Sequence, residues 1–167
     1  LNDLEDKVLQ PLHPLSFIED PTRILRGARL AGRLGFHFGV EARTQVEAVL
    51  ANDGLANVSH SRLRAELELT LSETRVTPAL RCLEEVGTLS PMFGFTLDGE
   101  LLEPLDELRL KTGVPNESYL LALLLSLPKE KLRATLDAFH WPLRYAQSVE
   151  RLHTIRRSGT ITPQQLA

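Results

Sequence analysis

Asp20 and Arg23 stand one helical turn apart, and Arg26, Arg29 and Arg33 follow on the same side of the helix their spacing predicts. An ionised carboxylate only accepts hydrogen bonds, and a guanidinium only donates them. Side by side, the two present an acceptor next to a forked donor. Cytosine and adenine each carry an exocyclic amine beside a ring nitrogen with a free lone pair. The carboxylate can therefore accept from the amine while the guanidinium donates to the ring. Uracil and guanine reverse both groups, and mismatched polar groups of this kind reject strongly. Arg26 and Arg29 remain to neutralise phosphates, a task that suits the guanidinium. The competing reading is an amphipathic surface helix with a solvated arginine edge. The spacing alone leaves both open.

The segment that must position these groups runs from Phe17 to Phe36. Asp20 suits an N-cap, because its side chain can accept from the free amides of the first turn. Pro21 then occupies the first helical position, where a missing N–H is no loss. Gly35 fits a left-handed C-terminal cap. Ile24, Ala28 and Ala31 fall opposite the arginines, with Leu25 and Gly32 at the margin, so this face is expected in a core. Gly27 and Gly32 are unfavourable inside a helix, which predicts that another element approaches its backbone closely.

The run Glu19-Asp20-Pro21-Thr22-Arg23 matches an EDxxR pattern, and the match continues in register through Arg26, Arg29 and Leu34-Gly35-Phe36. It resembles the nucleotide-recognition helix of class II tRNA nucleotidyltransferases, the bacterial CCA-adding, CC-adding and A-adding enzymes and related poly(A) polymerases. Ser59 to Leu67 is similar to a second segment of that family, SxxRxxxEL, through Arg62 and Glu66. Pro78 to Phe93 follows its later pattern more loosely. The resemblance implies that Asp20 and Arg23 pair with the base of an incoming CTP or ATP. It also implies that Arg26 and Arg29 contact the nucleotide, and that Glu19, Arg62 and Glu66 support them. Glu19 is expected to orient Arg23. Arg62 and Glu66, four residues apart, either brace the nucleotide helix or pair across one turn. The family places Mg²⁺ on a D-x-D pair in a catalytic head, after a Gly-Gly loop. Neither pattern occurs among these residues, so no catalytic or metal-binding residue is assigned, and the head domain is expected to lie outside this chain.

The expected architecture is all-α: a helical neck over residues 1–75, then a helical body over 76–167 that is itself incomplete. Helical patterning continues after the neck from Thr77 to Gly87, Leu101 to Leu110, Asn116 to Leu127, Lys129 to Phe139 and Leu143 to Arg157, with Asn116 suited to a cap and Pro163 opening a last helix. Strand-period alternation is not evident. With 43% hydrophobic and 25% charged residues the chain is of ordinary globular composition. A net charge of −3 argues against a wholesale polyanion binder, so RNA contact must come from local basic clusters. The single Cys82 fits a small core residue in a reducing cytoplasm, and no run is long enough to span a membrane. The expected partners are tRNA and CTP or ATP. The fragment alone is expected to be inactive. Two alternatives remain: a fragment of a poly(A) polymerase, and a non-enzymatic helical module whose arginine edge binds an acidic protein.

Overall fold

A computed structural model describes residues 2–158 and 160–166. The elements in order are α1 (Asn2–Glu5), β1 (Val8–Leu9), α2 (Ser16–Glu19), α3 (Thr22–Leu34), β2 (His37–Phe38), α4 (Val40–Ala51), a 3-10 turn (Gly54–Asn57), α5 (His60–Leu71) and α6 (Thr77–Glu85). There follow α7 (Leu89–Phe93), α8 (Gly99–Thr112), α9 (Asn116–Leu124), α10 (Lys129–Ala138), α11 (Arg144–Ser158) and α12 (Pro163–Leu166). The all-α expectation holds. The chain divides into two compact units, Leu1–Met92 and Phe93–Ala167. The division falls beyond residue 75, because α6 packs on α3 within the first unit.

α3 is the centre of the first unit. Ile24, Leu25, Ala28 and Ala31 are wholly buried, as their helical spacing requires. The helix ends on Gly35 at φ 68°, whose N–H bonds back to Ala31, so the left-handed cap falls where the sequence placed it. Its two internal glycines each admit a neighbour. A Cβ on Gly32 would lie 2.5 Å from the backbone nitrogen of Ala79 in α6. A Cβ on Gly27 would lie 3.1 Å from the ring of Phe38.

Phe38 belongs to a feature that the sequence did not disclose. β1 and β2 pair in parallel, Val8 opposite His37 and Leu9 opposite Phe38. His37 N–H donates to Lys7 and Gly39 N–H to Leu9, at 3.0 and 3.1 Å. Two-residue strands are too short to carry a period of two. The pairing fixes the start of the chain against the far end of α3, and the rings of Phe17 and Phe38 meet 6.0 Å apart beneath it. Ser59 caps α5 by accepting from the Arg62 N–H. Cys82 is buried, and burial pushes its thiol pKa up.

In the second unit α8, α9, α11 and α12 pack around Leu105, Tyr119, Leu123 and Leu124. The Tyr119 hydroxyl donates to the buried Asp106 at 2.8 Å. Phe93, Phe95, Phe139 and Trp141 form a stacked aromatic cluster with centroid spacings from 4.8 to 6.2 Å. Asn116 does not cap α9. Pro115 takes that position, and the Asn116 side chain accepts from Arg109 instead. Among the described residues no helix is long and apolar enough to cross a membrane.

Gly32 supplies a stability test. Replacing Gly by Ala in a helix ordinarily stabilises it, by about 1 kcal/mol. Here the added methyl meets backbone, which cannot swing aside, so Gly32→Ala should destabilise the fold by roughly 1–3 kcal/mol in urea denaturation. A gain in stability would contradict the close crossing of α3 and α6.

Candidate nucleotide-recognition site

Asp20 lies between α2 and α3 in extended conformation, φ −142° and ψ 92°. Its Oδ1 accepts from the Thr22 N–H at 3.1 Å and from the Thr22 hydroxyl at 2.6 Å. Asp20 was expected as the N-cap, but Pro21 at φ −61° takes that position, and the Asp20 side chain bonds two residues ahead into the first turn. Oδ1 also accepts from Nη2 of Arg62, which reaches across from α5 at 3.0 Å. Burial alone pushes the Asp20 carboxyl up. The hydrogen bonds from Thr22 and the charges of Arg62 and Arg26 outweigh it, so the group is held below its ordinary value.

Oδ2 of Asp20 lies 4.0 Å from Nε of Arg23. Arg23 is anchored behind this point, because its Nη1 donates to the Ser16 hydroxyl at 3.0 Å and to the Ser16 carbonyl at 3.3 Å. The Arg23 side chain is 44% exposed and that of Asp20 21%. Each side chain thus has one part held by protein, while Oδ2 of Asp20 and Nε of Arg23 are left adjacent. Glu19 was expected to orient Arg23. It does not: Glu19 ends α2 with its side chain exposed, and Ser16 performs the anchoring.

Arg26 and Arg29 are tied more tightly than the sequence suggested. Nε of Arg26 donates to Glu66 Oε1 at 2.6 Å, a bond that raises the arginine's pKa further. Nη1 of Arg29 lies 3.4 Å from Glu73, which also holds Arg33 at 3.8 Å. Arg62 and Glu66 do not pair across their own helical turn. Each crosses to the Asp20–Arg26 stretch, so α5 acts as a brace. A guanidinium has five N–H donors, and only Nε of Arg26 is engaged, so its terminal amines remain for an anion.

The structure therefore brings Asp20, Arg23, Arg26, Arg62 and Glu66 together, with Arg29 a turn further along. Sequence reasoning missed Ser16, Thr22 and Glu73. Glu73 had only a weak signal: it falls on the same helical side as Glu66, but beyond the end of α5. Ser16 and Thr22 had none beyond their hydroxyls. Among the described residues no group of three or more His, Cys, Asp or Glu side chains converges as a metal site requires.

At the head of the central helix a half-buried carboxylate thus adjoins a half-exposed guanidinium, and the arginine row that follows is braced from α5. No family model matches the chain. Known proteins do. It is 41% identical over 132 residues to a CC-adding tRNA nucleotidyltransferase of Deinococcus radiodurans, covering 77% of this chain and 32% of that protein. It is 37% identical over 110 residues to an A-adding tRNA nucleotidyltransferase of Aquifex aeolicus, covering 65% of this chain and 13% of that protein. A solved structure of a tRNA nucleotidyltransferase complexed with a primer tRNA and an incoming ATP analog superposes with a TM-score of 0.71 at 29% identity, over 92% of this chain and 48% of that one. Over most of its length the chain is therefore similar to tRNA nucleotidyltransferases of the A-adding and CC-adding kinds. It spans less than a third of the length of those two curated relatives.

The Asp20 environment fixes a pH dependence. A carboxyl whose folded pKa is depressed stabilises the fold above its unfolded value of about 3.9, and that stability disappears as pH falls through the folded midpoint. Carboxyl-carbon NMR should give Asp20 a midpoint below that of free aspartate, and Arg62→Met should raise it. An ordinary midpoint unmoved by Arg62→Met would contradict the three-donor arrangement.

Proposed function

We propose that the chain is the base-selecting and tRNA-facing part of an enzyme that adds C, A or both to tRNA 3′ ends from CTP and ATP. The helical neck containing Asp20 selects the nucleotide, and the helical body after it supplies part of the tRNA-binding surface. The observation that carries this reading is the adjacency of Asp20 Oδ2 and Arg23, 4.0 Å apart, each side chain held elsewhere by its own protein partner. The relatives named A-adding and CC-adding favour a tRNA substrate over poly(A) synthesis.

In this reading Oδ2 accepts from the exocyclic amine of cytosine or adenine, and Arg23 donates to the adjacent ring nitrogen. Both contacts turn repulsive with uracil or guanine, and an anchored pair cannot rearrange to accommodate them. The free amines of Arg26 neutralise part of the triphosphate, and Arg29 adds positive potential beside it. Mg²⁺ in such an enzyme stabilises the attacking and leaving oxygens. The acidic groups described here do not fit that ion, so the role of these residues is to bind and select.

Asp20→Ala and Arg23→Ala in the full-length enzyme test the reading. Discrimination between CTP or ATP and UTP or GTP should fall by about 10²-fold or more, since each change removes one polar match to the base edge. Circular dichroism should show the fold retained. Unchanged selection among the four nucleotides in a folded variant would contradict base reading by this pair.

A further inference from the structure

The hydroxyl of Thr22 has a role that neither the arginine row nor the family pattern assigns. Thr22 is wholly buried at the head of α3, yet its Oγ1 lies 2.6 Å from Oδ1 of Asp20. Nη2 of Arg62 approaches the same Oγ1 at 3.4 Å. A guanidinium has donors but no acceptor. It can only donate to Oγ1, so the single hydroxyl proton must point to the carboxylate. Together with the Thr22 N–H and Arg62, three donors converge on Oδ1. Oδ2 has no such donors and sits toward Arg23.

We propose that Thr22 is a specificity-determining positioning residue, whose hydroxyl holds Oδ1 of Asp20 and so aims Oδ2 at the base edge. This rests on the reading of Asp20 and Arg23 as the base-selecting pair and deepens it. The carboxylate only accepts hydrogen bonds, so the oxygen it presents opposes the carbonyl oxygen of uracil and guanine, and that opposition needs the oxygen held in place. A donor fixed on Oδ1 favours the ionised state, as the lowered Asp20 pKa agrees. It also stops rotation of the carboxylate, which would otherwise present either oxygen. The charged groups facing Asp20 are Arg23 and Arg26 of α3 and Arg62 of α5. All are permanently cationic, so Thr22 is the neutral donor that aims the group.

The test uses the full-length enzyme with Thr22→Val, which keeps the volume and removes the hydroxyl, and Thr22→Ser, which restores it. Thr22→Ala serves as a second deletion should valine disturb packing, and Asp20→Ala reports on the base-reading pair itself. Steady-state kinetics with each nucleotide and carboxyl-carbon NMR of Asp20 are the readouts. Thr22→Val should raise KM for the correct nucleotide and reduce discrimination against UTP about tenfold, the size of one lost hydrogen bond to a charged group. The Asp20 midpoint should rise, kcat at saturation should change less than KM, and Thr22→Ser should reverse each change. The proposal is overturned, with base reading intact, if Asp20→Ala loses discrimination while both Thr22 deletions keep wild-type selection and midpoint. If Asp20→Ala itself keeps discrimination, base reading fails and this proposal fails with it.

Discussion

One oxygen of the Asp20 carboxylate accepts three hydrogen bonds, and the arrangement around α3 depends on that asymmetry. The bond from the Thr22 N–H begins the helix. The bond from Arg62 ties α5 to that beginning. The bond from the Thr22 hydroxyl fixes the rotation of the group. The remaining oxygen is left facing Arg23. Local structure, tertiary bracing and the outward chemistry therefore meet at one side chain. Ser16 does for Arg23 what Thr22 does for Asp20: it holds part of the group and leaves the rest available. Preorganisation of this kind lowers the entropy lost when a ligand binds.

Magnitudes decide what the surrounding ion pairs are for. The Arg26–Glu66, Arg33–Glu73 and Arg62–Asp20 pairs each leave about half of the arginine side chain exposed. Such pairs contribute roughly 0–1 kcal/mol apiece, which is little beside the burial of Ile24, Leu25, Ala28 and Ala31. Their effect is on direction. Arginines one turn apart on one helix side repel each other, and would splay without partners. Glu66 and Glu73 set where the guanidiniums sit and partly offset their charge. The rigid background is apolar: α3 against α6 through Gly32, and α3 against β2 through Gly27. A side chain at Gly32 would push α3 off α6.

The helix itself was legible from the sequence because its determinants are local. A proline and a terminal glycine bound α3 within a few residues, and the apolar face follows from one period. Gly27 and Gly32 announced close neighbours without naming them. What remained hidden depends on which distant elements meet. The direction of Arg62 and Glu66 was ambiguous, because an i, i+4 pair on one helix and two pairs across to another have the same sequence. Ser16 and Thr22 look like ordinary polar residues until the turn between α2 and α3 brings them beside Asp20 and Arg23. Glu19 misled for the same reason, since adjacency in sequence placed it near Arg23 while the fold turns it outward. The β1–β2 pairing was too short to leave a pattern.

Base reading by an anchored acid and base is the central claim, and a crystal structure of the full-length enzyme with bound CTP measures it most directly. Oδ2 of Asp20 should lie about 3 Å from the exocyclic amine of cytosine, with a nitrogen of Arg23 at a similar distance from the ring nitrogen. Oδ1 should keep its bonds to Thr22. A cytosine held elsewhere, with Asp20 and Arg23 making only the contacts they make here, would contradict the account.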